Sequence, residues 1–153
     1  MARSTVSLIL AALLLSSCTD GTIQHQFRTI SGNNGWERTD TLTYDIPEIP
    51  ATCNYGMQVQ LRVGTRFPYR TVWVAREVEL DNPHMIKRDT VRIDLSEDGR
   101  HIDASGVTLF SINAEIKPIQ LEKGQKGKLR LMHLMRQETI PQLHDVGICI
   151  SFQ

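Results

Sequence analysis

Tyr55-Gly56-Met57-Gln58-Val59-Gln60-Leu61-Arg62-Val63 alternates between two sets of residues without a break. Successive side chains of a strand point to opposite faces. Tyr55, Met57, Val59, Leu61 and Val63 therefore share one face, and Gln58, Gln60 and Arg62 share the other. A helix would scatter both sets around its circumference. The stretch predicts a strand with one face in a core and one in water.

The same period recurs outward from this stretch. Leu42, Tyr44 and Ile46 oppose Thr41, Thr43 and Asp45; Val91, Ile93 and Leu95 oppose Thr90, Arg92 and Asp94; Val146, Ile148, Ile150 and Phe152 oppose Gly147, Cys149 and Ser151. Tyr69 to Leu80 is longer and mixed, with Trp73 opposite Val72 and Val74. It reads as a central strand covered on both sides. Lys128 to Met135 reads as strand or helix. Glu115 to Leu121 carries Pro118, which has no N–H for a ladder, so a central strand there requires a break. Turn-forming clusters separate the runs: Gly32-Asn33-Asn34-Gly35, Pro47 to Pro50, Asp81-Asn82-Pro83, Glu97-Asp98-Gly99 and Lys123 to Gly127. Together these features predict a mainly β fold. It is an antiparallel, jelly-roll-like sandwich of about seven or eight strands over residues 27–153, following an N-terminal signal helix. Trp36, Tyr44, Tyr55, Phe67, Tyr69 and Trp73 lie close together in sequence and are candidates to seed its core.

The N-terminus carries a different pattern. Met1-Ala2-Arg3 supplies one positive charge, and Val6 to Leu15 is apolar. A stable bilayer span needs roughly 20 apolar residues, so this run is too short and reads as a signal peptide, residues 1–17. It ends in Leu15-Ser16-Ser17-Cys18, similar to the lipobox of bacterial lipoproteins. Cleavage is expected between Ser17 and Cys18, with lipid placed on the Cys18 thiol. Residues 18–26 then read as a lipidated polar tether. The expected location is the cell envelope, held by lipid and facing the periplasm or the cell surface. The membrane is the first expected partner.

The 153-residue chain has no net charge, which excludes the basic footprint of a nucleic-acid binder. His25, His84, His101, His133 and His144 show no metal-ligand spacing, and no zinc-spaced cysteine accompanies them. Nucleophile-elbow, metalloprotease and phosphate-loop motifs are absent from the sequence. No catalytic residue, metal or cofactor is therefore expected, apart from the covalent lipid. Cys53 falls on the apolar parity of its run and Cys149 on the polar parity of its own. Two separate thiols are thus favoured over a disulfide, although an oxidising envelope allows one. Met132-His133-Leu134-Met135 reads as flexible core packing rather than a soft metal box. Trp36, Tyr69 and Trp73 are candidate ligand-contacting aromatics, because broad apolar rings can stack on sugars. Core packing is the favoured role for them.

Larger blocks carry a family resemblance. Gly35-Trp36 and Asp40-Thr41-Leu42 are followed by Leu61-Arg62, Phe67-Pro68-Tyr69, Asp89-Thr90-Val91, Asp98-Gly99-Arg100 and Gly106 to Phe110. Met135-Arg136-Gln137-Glu138-Thr139-Ile140-Pro141 and Asp145-Val146-Gly147-Ile148 close the series. This order, behind a lipobox, resembles the GldH family of gliding-motility lipoproteins of the Bacteroidota. The departures are mild: Phe67 stands where tyrosine is usual, Gln137 where an acid is usual and Ile140 where leucine is usual. The resemblance implies an accessory envelope lipoprotein. It would work with partner proteins of a motility and secretion complex, and the family supplies no catalytic residue to carry over. A surface carbohydrate-binding sandwich is the alternative. A hydrolase would require acid and base side chains that converge only in the fold.

Overall fold

The computed structural model describes residues 21–31, 34–95 and 109–153. The described residues contain ten strands and no helix. One sheet pairs β1 (Thr22–Thr29), β10 (Leu143–Phe152), β4 (Cys53–Gly64) and β7 (Leu109–Leu121), in that order. The other pairs β3 (Leu42–Ile46), β8 (Lys126–His133), β5 (Thr71–Asp81) and β6 (Met85–Asp94). A short ribbon joins β2 (Trp36–Glu37) to β9 (Thr139–Ile140). Every pairing is antiparallel, so the predicted sandwich is the observed architecture.

The alternation in β4 survives intact. Tyr55, Met57, Val59, Leu61 and Val63 are all buried, facing Val146, Ile148 and Ile150 of the same sheet and the inner rows of the other. Removing such side chains from water stabilises by about 1.5–3 kcal/mol each, before the entropy of ordering them is subtracted. Lys126–His133 resolves as a strand, with Leu129 and Leu131 fully buried. Tyr44 ties the sheets together: its hydroxyl donates to the Val146 carbonyl at 2.8 Å, and burial pushes the phenol well above its usual pKa range.

Pro118 behaves as its chemistry requires. It lies on β7, an edge strand, and the β4–β7 register shifts between Tyr55 and Met57, opposite Ile119 and Ile116. The Lys117 carbonyl beside it accepts from the Arg76 guanidinium at 2.7 Å. Arg76 sits on the inward row of β5 between Val74 and Val78. It is 5% exposed, and Asp89 on β6 balances its charge. A charge in a core row thus clips one sheet to the other.

Three expectations are corrected. β5 is central by pairing, but its outer face has no covering layer. Instead Glu77 lies between Arg88 (2.6 Å) and Arg130 (2.8 Å), and Arg130 reaches Glu79 at 2.7 Å. The long arginine stems and paired charges half-cover that face, as a second apolar layer would. The expected tether ends sooner than Gln26, because the sheet takes up the chain at Thr22. β1 lies on the sheet edge with most of its residues half-buried, and Gln24, Gln26 and Arg28 bond to the backbone of β3 at Thr43 and Asp45. Phe152, expected in the core row, is 43% exposed: it packs its ring against buried Tyr55 at 5.1 Å, but the β1 ladder beside it has already ended at Thr22, opposite Ser151. The signal segment, Cys18 and the Glu97-Asp98-Gly99 turn lie outside the described residues.

The connections give the sandwich two ends. Residues 47–52, 82–84 and 122–125 turn at one end, where Gly21 meets Phe152 through a 2.8 Å backbone bond. Residues 65–70 and 134–138 turn at the other, beside the β2–β9 ribbon.

Candidate functional site: an open groove beside Trp73

β8 leaves its sheet at His133. Its pairing with β5 ends at Val74–His133, followed by one further bond from the Leu134 N–H to the Trp73 carbonyl at 2.7 Å. The chain then turns across the end of the sheet, and the Trp73 N–H meets only the Met135 sulfur, at 3.4 Å. The result is an open groove of about 670 Å³ lined by Tyr69, Trp73, Thr90, Leu134, Met135, Arg136 and Gln137. Trp73 is 43% and Leu134 50% exposed. Trp73 points out because Val72 and Val74 on either side point in, as their parity predicts.

Arg38 fixes the floor of this end. Its guanidinium donates to the carbonyls of Met135, Arg136 and Gln137 at 2.6, 2.5 and 3.3 Å and pairs with Glu138 at 3.3 Å. Its own N–H donates to the Glu138 carbonyl at 2.8 Å. Three successive carbonyls aimed at one cation hold the segment in one shape. Gly35 makes the ribbon possible. Its φ is +119°, and a Cβ there would lie 2.0 Å from the Ile140 carbonyl oxygen.

Of the three candidate aromatics, the structure brings two together. Tyr69 and Trp73 line the groove. Trp36 does not: it is fully buried, its Nε1 donates to the Asp40 carbonyl at 3.1 Å, and His133 packs edge-on against it at 5.3 Å. Beside Gly35 and a paired Ile140, that ring belongs to the core. His133 is 1% exposed, and its ring nitrogens have only the Glu138 and Trp36 backbone near them, neither in good hydrogen-bond geometry. Burial, together with the nearby Arg38 charge, holds its pKa below the usual imidazole value.

The remaining candidates are dispersed. His25 bonds Gln60 at 2.7 Å, His84 lies 3.7 Å from Asp81, and His144 is exposed on β10. His101 falls outside the described residues. Among those residues no group of His, Cys, Asp and Glu is placed to hold a metal ion. Cys53 and Cys149 are both half-buried free thiols, and Cys149 faces Gln58 and His25 rather than Cys53.

Tyr69 and the segment from Met135 onward, together with Gly35-Trp36, are the blocks that carry the family resemblance, and they meet at this end of the fold. The family model described as GldH lipoprotein matches residues 22–150. The chain belongs to the GldH lipoprotein family. The gliding motility lipoprotein GldH of Flavobacterium johnsoniae is 24% identical over 151 residues, covering 94% of this chain and 93% of that protein. A match of this length includes all ten strands, both sheets and the groove.

Arg38 was not singled out by sequence reasoning, and the core packing expected of Met132-His133-Leu134-Met135 is corrected at Leu134, which is 50% exposed. Arg38 acts on backbone far along the chain, and no spacing reveals that. Leu134 did leave a signal: Leu129 and Leu131 occupy the inward row of β8, so Met132 and Leu134 put apolar side chains on the outward parity.

Proposed function

We propose that this protein is a lipid-anchored, non-enzymatic accessory component of an envelope motility complex, fixed to a membrane through Cys18 and engaging partners through the groove end. Family membership supports an envelope lipoprotein. The observation that carries the finer reading is the polarity of the fold. Strand β1 begins at Thr22, so only Thr19, Asp20 and Gly21 separate the lipidated residue from the sheet. Three extended residues reach about 11 Å at most. The Gly21 end would then rest close to the bilayer. β4 runs the length of the sandwich in 12 residues. At about 3.3 Å per residue the groove would stand some 40 Å further out.

Such a protein performs no bond chemistry. It holds a surface at a set height, and two or three acyl chains anchor it firmly where one would be marginal. The groove's lining supports this reading, being aromatic, aliphatic and amide-bearing with one arginine. The sugar-binding alternative loses Trp36 to the core and keeps only Tyr69 and Trp73.

The test is co-purification of the native protein from its own envelope beside a Cys18→Ala control, with labelled palmitate to score lipidation. Recovery of motility components with the lipidated form, and their loss with the control, is expected. Palmitate incorporation without any envelope protein above background would contradict the scaffold role while leaving the anchor intact.

A further inference from the structure

We propose that the groove beside Trp73 binds an extended acidic segment of a protein partner. Trp73 and Leu134 seat its apolar side chains, and Arg136 takes its carboxylates. The inference rests on the anchored-scaffold reading only for the direction in which the groove faces; the binding itself stands apart from it.

Three observations converge. The first is the interrupted ladder. Past the Leu134 N–H, which bonds the Trp73 carbonyl, β5 has lost its neighbour, and the Trp73 N–H is met by a thioether at 3.4 Å. Sulfur is a weak acceptor, and a peptide carbonyl is a strong one. An extended segment that displaces Met135 would supply that carbonyl and continue the sheet, as in recognition by strand addition.

The second is the exposed apolar pair. Trp73 and Leu134 are about half exposed and line the groove together; Ile86, the other large apolar residue exposed on this face among the described residues, stands apart opposite Glu79 toward the other end. An aromatic ring next to an aliphatic side chain is the composition of an interface core.

The third is charge. Arg136 lines the groove, and Arg66 and Arg70 are exposed on the loop that carries Tyr69. Among the described residues none of the three has an acidic partner. Of the acids at this end, Asp89 pairs with Arg76, Asp94 with Arg92 and Glu138 with Arg38, while Glu37 and Asp40 beside the ribbon form no ion pair among the described residues. Arg136 inside the groove, with Arg66 and Arg70 on the neighbouring loop, thus leaves guanidinium groups without a carboxylate within ion-pair distance among the described residues. A neutral saccharide would stack on the ring and leave the arginines unmatched. An acidic peptide satisfies ring, N–H and arginine together.

The experiment uses the mature lipidated chain in detergent micelles. The probe is a labelled eight-residue peptide alternating glutamate with leucine; a lysine–leucine peptide and a neutral cello-oligosaccharide serve as controls. Anisotropy and tryptophan emission report binding. Saturable binding of the glutamate peptide is expected, with the lysine peptide at least about tenfold weaker. Trp73→Ala should weaken binding by about tenfold or more without changing the circular dichroism spectrum. Arg136→Glu should reverse the order of the two peptides. Equal affinity for both peptides, no saturable binding of the glutamate peptide, or binding indifferent to Trp73→Ala would overturn the proposal. Saccharide binding abolished by Trp73→Ala, with none of the glutamate peptide, would put a glycan in the groove instead.

Discussion

At the Gly21 end of the sandwich, the turn between β7 and β8 is closed by its own side chain; at the groove end, the turn after β8 is held by a side chain from elsewhere. Gln125 is 2% exposed, and its amide oxygen accepts from the Glu122 N–H at 2.9 Å. Its backbone carbonyl accepts from Ile49, and Ile49 in turn accepts from Gly124, both at 2.8 Å. Tyr55 locks the neighbouring loop through the Ala51 carbonyl at 2.7 Å. At the groove end, Arg38 does the holding from outside, His133 is buried without a well-formed bond, and Trp73 offers its N–H to sulfur. The difference teaches where each end's free energy goes. One end satisfies its polar groups internally and contributes stability. The other leaves apolar surface and a weakly met donor open, which is what a binding surface requires.

Substitutions can break that contrast, starting with the largest effect. Gly35→Ala forces a Cβ against the Ile140 carbonyl at a positive φ, and should cost about 3 kcal/mol or more in urea-unfolding stability. Such a loss would show that the groove end, open as it is, depends on one glycine. Gln125→Ala removes a buried bond from the other end and should cost about 1–3 kcal/mol by the same measurement. Arg38→Ala should cost less, about 1–2 kcal/mol, because the guanidinium is partly exposed. It should, however, weaken glutamate-peptide binding by loosening the 135–138 segment. Trp73→Ala should change stability by no more than about 0.5 kcal/mol while weakening glutamate-peptide binding by about tenfold or more, which separates the two ends most sharply.

A pH titration sharpens the comparison further. Burial lowers the pKa of His133 in the folded state, whereas the unfolded imidazole keeps a value near 6.5. Between the two values the unfolded chain binds the extra proton, so stability rises with pH across that window. The full contribution is present above about pH 6.5 and is lost as pH falls toward the lowered value. Urea midpoints should therefore drop between pH 7 and pH 5, and His133→Phe should flatten that drop.

How much of this was legible depended on burial. β4 has strands on both sides and a full core beneath it, so its alternation is clean and its inward face followed from sequence. β1 has a partner on one side only and half-buried residues on both faces, so no period marks it and the expected tether ran into it. Val72 and Val74 put Trp73 on the opposite face, but the core packing expected for its ring is corrected: that face has no covering layer, and Trp73 is 43% exposed. The favoured core role of Trp36 holds, at 0% exposure, although its two-residue strand carries no period and the turn at Gly35 that seats it shows only in the fold. Arg76 was not read, although it interrupts the apolar row Val72, Val74, Val78 and Leu80; its partners, Asp89 on β6 and the Lys117 carbonyl beside Pro118, come together only in the fold.

The central claim is polarity: lipid at one end, groove at the other. Both tryptophans, Trp36 and Trp73, lie at the groove end, and Phe152 lies at the Gly21 end. Quenching of tryptophan emission by brominated lipids tests this directly in vesicles carrying the lipidated protein. The native emission should be unquenched, and Phe152→Trp should add a signal that is strongly quenched. Native emission quenched as strongly as the added signal would contradict the account.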